Sequence, residues 1–288
     1  MLKNIKFWDS NFSTVTQKQF KYPLFENIIG YEEAKLAITL TIAHKLKLLI
    51  IGHPGIGKSM LAKSASNLNE NIIEILPIAP KSTFIKTDLN DNLFSKNPGA
   101  TIIINEFSEL KKDCIESIRH LLDMPNKCSL IATMNPCRCG YFGHLTIPCK
   151  CSPQTLKSFQ AKIPPAIYDR FDVILVFETE PTISSELDIG SLPQTLPAIS
   201  YIEASQNLEI IESFADYEKY FLDSALMRFK ELVVKYSIAP RRAVKILNLA
   251  NILAKQNKNS VLITVDNLIR SFNFQKHAIP RAKNDLQP

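Results

Sequence analysis

The chain has 288 residues, 45 % of them hydrophobic and 22 % charged, with a formal net charge of +6. These values describe a soluble globular protein with enough chain for one large core or two smaller ones. They exclude a membrane span, since no apolar run approaches the roughly 20 residues a span needs. The opening MLKNIKFWDS lacks the apolar centre of a signal peptide, so a cytoplasmic location is expected. Lysine far outnumbers arginine, and the basic balance alone is a weak argument for nucleic acid. Six cysteines in such a chain argue against a disulfide framework.

In chain order, residues 1–24 have no clear period and are expected to form an N-terminal arm. From Tyr31 to Lys45, Ala34, Ala37, Ile38 and Ile42 recur at helical spacing, and Gly30 suits a turn before them. A first core strand is expected over Lys47–Ile51. It leads into GHPGIGKS, residues 52–59, which fits G-x-x-x-x-G-K-[ST] in full; three of the chain's eight glycines lie here. Gly55 and Gly57 allow the backbone to turn its N–H groups toward phosphate oxygens. The start of the next helix, expected over about Lys58–Leu68, adds partial positive charge. Lys58 can reach the β- and γ-phosphates, and the Ser59 hydroxyl can ligate Mg²⁺. The whole cofactor-binding set is Gly52, His53, Pro54, Gly55, Ile56, Gly57, Lys58, Ser59 and Met60.

Residues 71–78, NIIEILPI, read as a second strand ended by Pro77. ATIIINEF, 100–107, is apolar until its polar tip, as a buried central strand carrying chemistry would be. Ser108 is a candidate cap for a helix whose stripe is Leu110, Cys114, Ile118, Leu121 and Leu122, with Pro125 as its stop. SLIATMNP, 129–136, repeats the buried strand with a polar tip. A helix near Pro153–Lys162 and a fifth strand at Val173–Phe177 follow. Strand–helix alternation predicts an α/β fold, a parallel five-stranded sheet sandwiched by helices. The core is expected over 25–180. Residues 181–205, rich in Pro, Ser and Thr, read as a linker, and 206–288 as a small helical lid domain with Pro240 in the first turn of one helix. A short strand at Val261–Ile263 is the exception to its helical pattern.

Cys137, Cys139, Cys149 and Cys151 crowd one loop, while Cys114 and Cys128 stand apart. Four thiolates can close a tetrahedral Zn²⁺ site; the alternative is a reduced, metal-free loop. The polar tips Asn105, Glu106 and Asn135 lie at the carboxyl ends of their strands, beside the phosphate loop, where an α/β sheet binds its ligands.

The segments FENIIGYEEAK…LLIIGHPGIGKSML, ATIIINEF, IATMNPCRCGYFG…CKCSPQ and IYDRFDVILVF resemble the AAA+ ATPases of the magnesium-chelatase type, and among them the ComM (YifB) group. The resemblance covers about residues 25–276, and the loop at 134–152 is its most specific part. It implies a P-loop NTPase of the AAA+ class with ATP and Mg²⁺ as cofactors. Glu106 then polarises the attacking water, and Asn135 contacts the γ-phosphate or that water. Arg170 resembles the arginine finger that acts on a neighbouring subunit's nucleotide, so a homo-oligomeric ring is implied. Arg241 resembles the sensor arginine of the lid. Without the resemblance, Arg170 reads as a surface ion-pair residue and Arg241 or Arg242 as part of a solvated helix face.

This sequence departs from the family pattern at several points. Asn105 stands where an aspartate precedes the glutamate, so Mg²⁺ binding should weaken, hydrolysis should be slow, and Asn105→Asp should raise it. Ala239–Pro240 replace the serine usual before the lid arginine. The segment 78–99 is short, as is the interval from Glu106 to Asn135, so two pore-lining insertions are expected to be missing, with the N-terminal Lon-like domain of longer relatives. Lys81, Lys86 and Lys96 remain, so weak, salt-sensitive nucleic acid binding without processive translocation is the expectation. Two alternatives stay open: a nucleotide-dependent binding module or degenerate switch with little hydrolysis, and a chelatase motor subunit.

Overall fold

The computed structural model describes residues 25, 28, 30–79, 81, 84, 92–124, 127–177, 220–236, 238–256 and 262–275. The expected arm 1–24, the linker 181–205, Lys86, Pro125 and Val261 lie outside the described residues. By its contacts the chain divides into two compact units, Met1–Phe171 with Val176–Ser205, and Asp172–Leu175 with Gln206–Pro288.

The sheet has five strands: β1 (Lys47–Gly52), β2 (Ile72–Ile75), β3 (Thr101–Ile104), β4 (Ser129–Met134) and β5 (Val173–Phe177). Their spatial order is β2-β3-β4-β1-β5. The ladders β1/β4, β2/β3 and β3/β4 are all parallel. Parallel neighbours need crossover connections, and the helices that provide them cover both faces. The central strands are therefore apolar without alternation: β3 and β4 are buried along their whole length. The edge strand β2 carries the one charge in its run, Glu74, which is half-buried.

Helices α1 (Glu32–Ala43), α2 (Lys58–Ser64), α3 (Leu93–Lys96), α4 (Lys112–Leu122), α5 (Pro153–Lys162) and α6 (Pro165–Tyr168) complete this layer arrangement. The expected apolar stripe of α1 is buried: Ala34, Ala37, Ile38 and Ile42. The stripe of α4 is buried too, with Leu110 just ahead of it. Pro153 occupies the first turn of α5, and the Ser152 hydroxyl accepts the Thr155 N–H, so a capping serine and a pre-set φ fix where that helix starts. The expected helix over 58–68 is shorter: α2 ends at Ser64 and tightens into a 3₁₀ turn, Ala65–Asn67.

Ser108 does not cap α4. Glu106 takes a left-handed backbone (φ 53°), and a 3₁₀ turn over Phe107–Glu109 intervenes before α4 begins at Lys112. Ser108 sits buried inside that turn. Between β3 and β4 the described residues hold only this turn and α4 as regular structure, with no hairpin among them.

The second unit contains α7 (Asp223–Lys235), α8 (Pro240–Gln256) and α9 (Val265–Gln275). Phe221 and Ile263 form an isolated parallel bridge, which is what the expected strand reduces to. Phe221, Phe229, Ile246, Leu247 and Leu268 lie in its core. Thr264 caps α9 reciprocally: its hydroxyl accepts the Asn267 N–H, and the Asn267 side chain accepts the Thr264 N–H. No helix among the described residues is long and apolar enough to cross a membrane.

Candidate functional site

The sheet register brings the polar tips together. Ile51 pairs with Met134, so Gly52 and Asn135 leave the sheet side by side. Ile104 pairs with Ala132, which puts Asn105 beside Thr133. Gly52 has no room for a side chain; a Cβ there would lie 3.0 Å from the Cβ of Phe177. Gly55 and Gly57 have φ of +83° and +88°, the left-handed backbone that turns the loop into α2. Open space faces Gly55, where a Cβ would meet nothing within 4 Å. Ser59 is half-buried at the second position of α2, and Met60 is 38 % exposed beside it.

Lys58 is buried, and its ammonium folds back to donate to His53 O at 2.8 Å and Asn135 Oδ1 at 3.0 Å. Burial lowers its pKa, and the nearby Glu106 carboxylate opposes that shift. Its hydrogen-bond partners here are neutral oxygens, so an anion arriving above the loop meets a positive charge that no bonded carboxylate cancels. Asn135 Nδ2 in turn donates to Glu106 Oε2 at 3.2 Å. Lys58, Asn135 and Glu106 therefore form one hydrogen-bonded line across the ends of β1, β4 and β3. The left-handed backbone at Glu106 is unfavourable for a residue with a Cβ, and such strain is held where it serves a site.

Asn105 is buried next to this line. Its Nδ2 donates to Glu74 Oε1 at 2.6 Å, and its Oδ1 accepts from Thr133 Oγ1 at 3.4 Å. Glu74 Oε1 also receives Lys63 Nζ at 2.7 Å. Thr133 accepts the Glu106 N–H at 3.4 Å, so one hydroxyl touches both tip residues of β3. The Tyr31 hydroxyl donates to Ile56 O at 2.6 Å, tying the start of α1 to the phosphate loop.

Arg170 is engaged elsewhere. Its guanidinium clasps Asp123 Oδ2 through Nε at 2.8 Å and Nη2 at 2.7 Å, and donates to Ala166 O. In the second unit Arg241 is exposed on the first turn of α8. Its neighbour Arg242 is buried and donates to Gln275 Oε1 at 2.9 Å, so of this pair only Arg241 presents its side chain outward.

The loop after Asn135 gathers the four clustered cysteines, whose Sγ atoms all lie within 4.8 Å of one another. Cys137–Cys139, Cys139–Cys149 and Cys137–Cys149 are 3.4, 3.5 and 3.7 Å apart. Zn–S bonds of about 2.3 Å put tetrahedral sulfurs ~3.8 Å apart, so the donor set suits Zn²⁺. Backbone N–H groups add support: Phe142 N donates to Cys137 Sγ and Cys139 N to Cys151 Sγ. The Tyr141 N–H holds the Cys139 thiol down, at about 6. Burial raises Cys137 within the cluster, as it does the isolated Cys114, and pushes Cys128 up to about 12.

Three contributors escaped the sequence reading. Glu74 had a signal, as a lone charge in an apolar strand. Thr133 had a weaker one, as a hydroxyl inside a fully buried strand. Tyr31 had none.

A family model described as "Magnesium chelatase, subunit ChlI" matches residues 24–101 and 106–184. The chain is 23 % identical over 192 residues to the "Competence protein ComM" of Haemophilus influenzae, which is 51 % of this chain and 37 % of that protein. It is 29 % identical over 99 residues to the "Archaeal Lon protease" of Thermoplasma volcanium, 34 % of this chain and 13 % of the relative. The match thus spans well under half the length of either relative. The family match covers more than half of the chain and includes the phosphate loop, Glu106, the β4 tip and the cysteine loop, so the chain belongs to the magnesium chelatase subunit ChlI family of AAA+ proteins.

Proposed function

We propose that the chain binds ATP with Mg²⁺ at the phosphate loop and hydrolyses it slowly, as one protomer of a homo-oligomeric ring in the cytoplasm. The observation that carries this reading is the line Lys58–Asn135–Glu106. It supplies a cation for phosphate, an amide for the γ-phosphate or the water, and a carboxylate that polarises the water. Family membership brings nucleotide and Mg²⁺ use with it. Ser59 and Asn105 hold the metal, through a hydroxyl and, by way of a bound water, an amide oxygen. Arg170 serves a neighbour's nucleotide, with Asp123 fixing its direction, and Arg241 is the sensor arginine of the helical lid.

The test is steady-state ATP turnover of the purified chain, with and without DNA. Slow Mg²⁺-dependent turnover is expected, with Glu106→Gln lowering it by about 10²-fold, the scale of losing a general base. Equal rates in the two proteins reject hydrolysis. Asn105 favours the second reading, a nucleotide-dependent switch, because an amide sits where a charge would stabilise Mg²⁺. Binding without turnover would select it. The DNA arm tests a link suggested by the net charge of +6 and the exposed Lys81 and Lys96.

Cys137, Cys139, Cys149 and Cys151 hold Zn²⁺ in this reading. Protein purified without chelator is expected to carry about one zinc per chain, the load of one closed four-thiolate site. Cys149→Ser should release most of it. Folded, reduced protein without zinc rejects the site.

A further inference from the structure

The cysteine loop is seated on the phosphate loop. The chain leaves β4 at Met134, gives Asn135 to the Lys58 ammonium, and two residues later reaches Cys137. Gly140, beside Cys139, has φ +87°, and a Cβ there would fall 2.5 Å from Pro54 Cδ and 2.7 Å from Pro54 Cγ. The backbone of one loop is thus pressed against the side chain of the other. Gly140 O accepts a hydrogen bond at 2.9 Å from Nδ1 of His53, which is only 5 % exposed. The His53 ring lies parallel to Tyr141, with centroids 6.2 Å apart, and 4.4 Å from the ring of His144.

His53 and Pro54 are positions the phosphate-loop pattern leaves open, so phosphate binding does not explain them. Their contacts do. His53 faces both ways: its side chain holds the cysteine loop, and its main-chain oxygen holds Lys58 Nζ at 2.8 Å. A shift of the cysteine loop therefore reaches the phosphate-binding lysine through one residue, and reaches Asn135 directly along the chain. Between β4 and α5 the loop has no helix or strand of its own, so its shape depends on the sulfur cluster and the N–H···S bonds around it.

We propose that His53 and Gly140 are positioning residues through which metal held by the four cysteines sets the phosphate loop, so that losing the metal weakens nucleotide binding although no phosphate-contacting residue is lost. This rests on the zinc and nucleotide readings above. Linkage makes the effect reciprocal: nucleotide must tighten metal binding by the factor by which metal tightens nucleotide binding.

The experiment is isothermal titration of Mg·ATP into zinc-loaded and chelator-stripped protein, with zinc measured in each sample and folding followed by circular dichroism. Stripping is expected to weaken ATP binding about tenfold, the scale of one buried hydrogen bond with its packing. ATP should slow chelator extraction of zinc to match. His53→Leu removes the donor and Gly140→Ala forces the loops apart; neither removes a thiol. Both should keep full zinc, bind ATP about tenfold more weakly, and lose the response to stripping. His53→Asn carries an N–H near the Nδ1 position and should restore most of the coupling, which a merely structural role for the ring would not produce. Loaded His53→Leu that binds ATP as tightly as the wild type, or that still responds to stripping, overturns the proposal even where stripped protein unfolds. Native protein without zinc overturns the zinc reading instead, and loaded wild type without ATP affinity overturns the nucleotide reading.

Discussion

Lys58→Ala lowers the affinity for Mg·ATP by about 10²- to 10³-fold, the loss typical of removing one partner of a desolvated charge pair. Lys58 is already buried and aimed before nucleotide arrives, bonded to His53 O and Asn135 Oδ1. Burial disfavours its charge, while the Glu106 carboxylate favours it. The ammonium is therefore kept at a cost that phosphate oxygens relieve, and little side-chain entropy remains to be lost on binding. Fold stability should change far less than affinity. The variant removes an expensive buried charge, which offsets the cost of leaving His53 O and Asn135 Oδ1 without their donor. Isothermal titration and a melting curve separate the two effects. Similar affinity in both proteins would show that the loop is not a phosphate site; a large fall in melting temperature would show that Lys58 is structural.

The parts of this site that were legible in the sequence are those set by local pattern. The phosphate loop announces itself because it needs glycines, a lysine and a hydroxyl at fixed spacing. The tips Asn105, Glu106 and Asn135 stand out because each ends an apolar run long enough for a buried strand. Ser152 followed by Pro153 fixes α5, since capping and a preset φ are local. What stayed hidden depends on pairing between distant segments. That Glu74 meets Asn105 follows from the β2/β3 register, which sets Glu74 beside Ile103. That Tyr31 meets Ile56 requires α1 to be docked first. Ser108 misled because a capping residue before an apolar stripe is a good local signal. The left-handed turn at Glu106 inserts a 3₁₀ segment that propensity does not foretell. The cysteine cluster was visible as composition, yet its seat on Pro54 was not, because Gly140 reports a close approach only once its neighbour is known.

The contact between Asn105 and Glu74 also changes the expectation for Asn105→Asp. Taken alone, a carboxylate at this position should raise turnover, because charge near Mg²⁺ stabilises the phosphoryl-transfer transition state. But Asn105 Nδ2 donates to Glu74 Oε1 at 2.6 Å, and Glu74 is half-buried and paired with Lys63 at 2.7 Å. The substitution would replace that donor with a second acceptor and set two carboxylates at hydrogen-bond distance. Like charges so close cannot both ionise cheaply, so the pair would share a proton or the new group would turn away. Asn105→Asp by itself is therefore expected to change kcat by less than about twofold and to cost ~1–3 kcal/mol of stability, the range for a buried group that loses its hydrogen bond. Pairing it with Glu74→Gln reverses the arrangement. The Gln amide then donates to the new carboxylate, which stays charged and oriented by Thr133, and kcat should rise about tenfold, as about 1.4 kcal/mol of added transition-state stabilisation would give. Glu74→Gln alone should not raise turnover. The four proteins form a double-mutant cycle read by steady-state ATP turnover and thermal melting. If Asn105→Asp alone already reaches the rate of the double variant, Glu74 does not control the site. If neither exceeds the wild type, the absent charge at position 105 is not what makes hydrolysis slow.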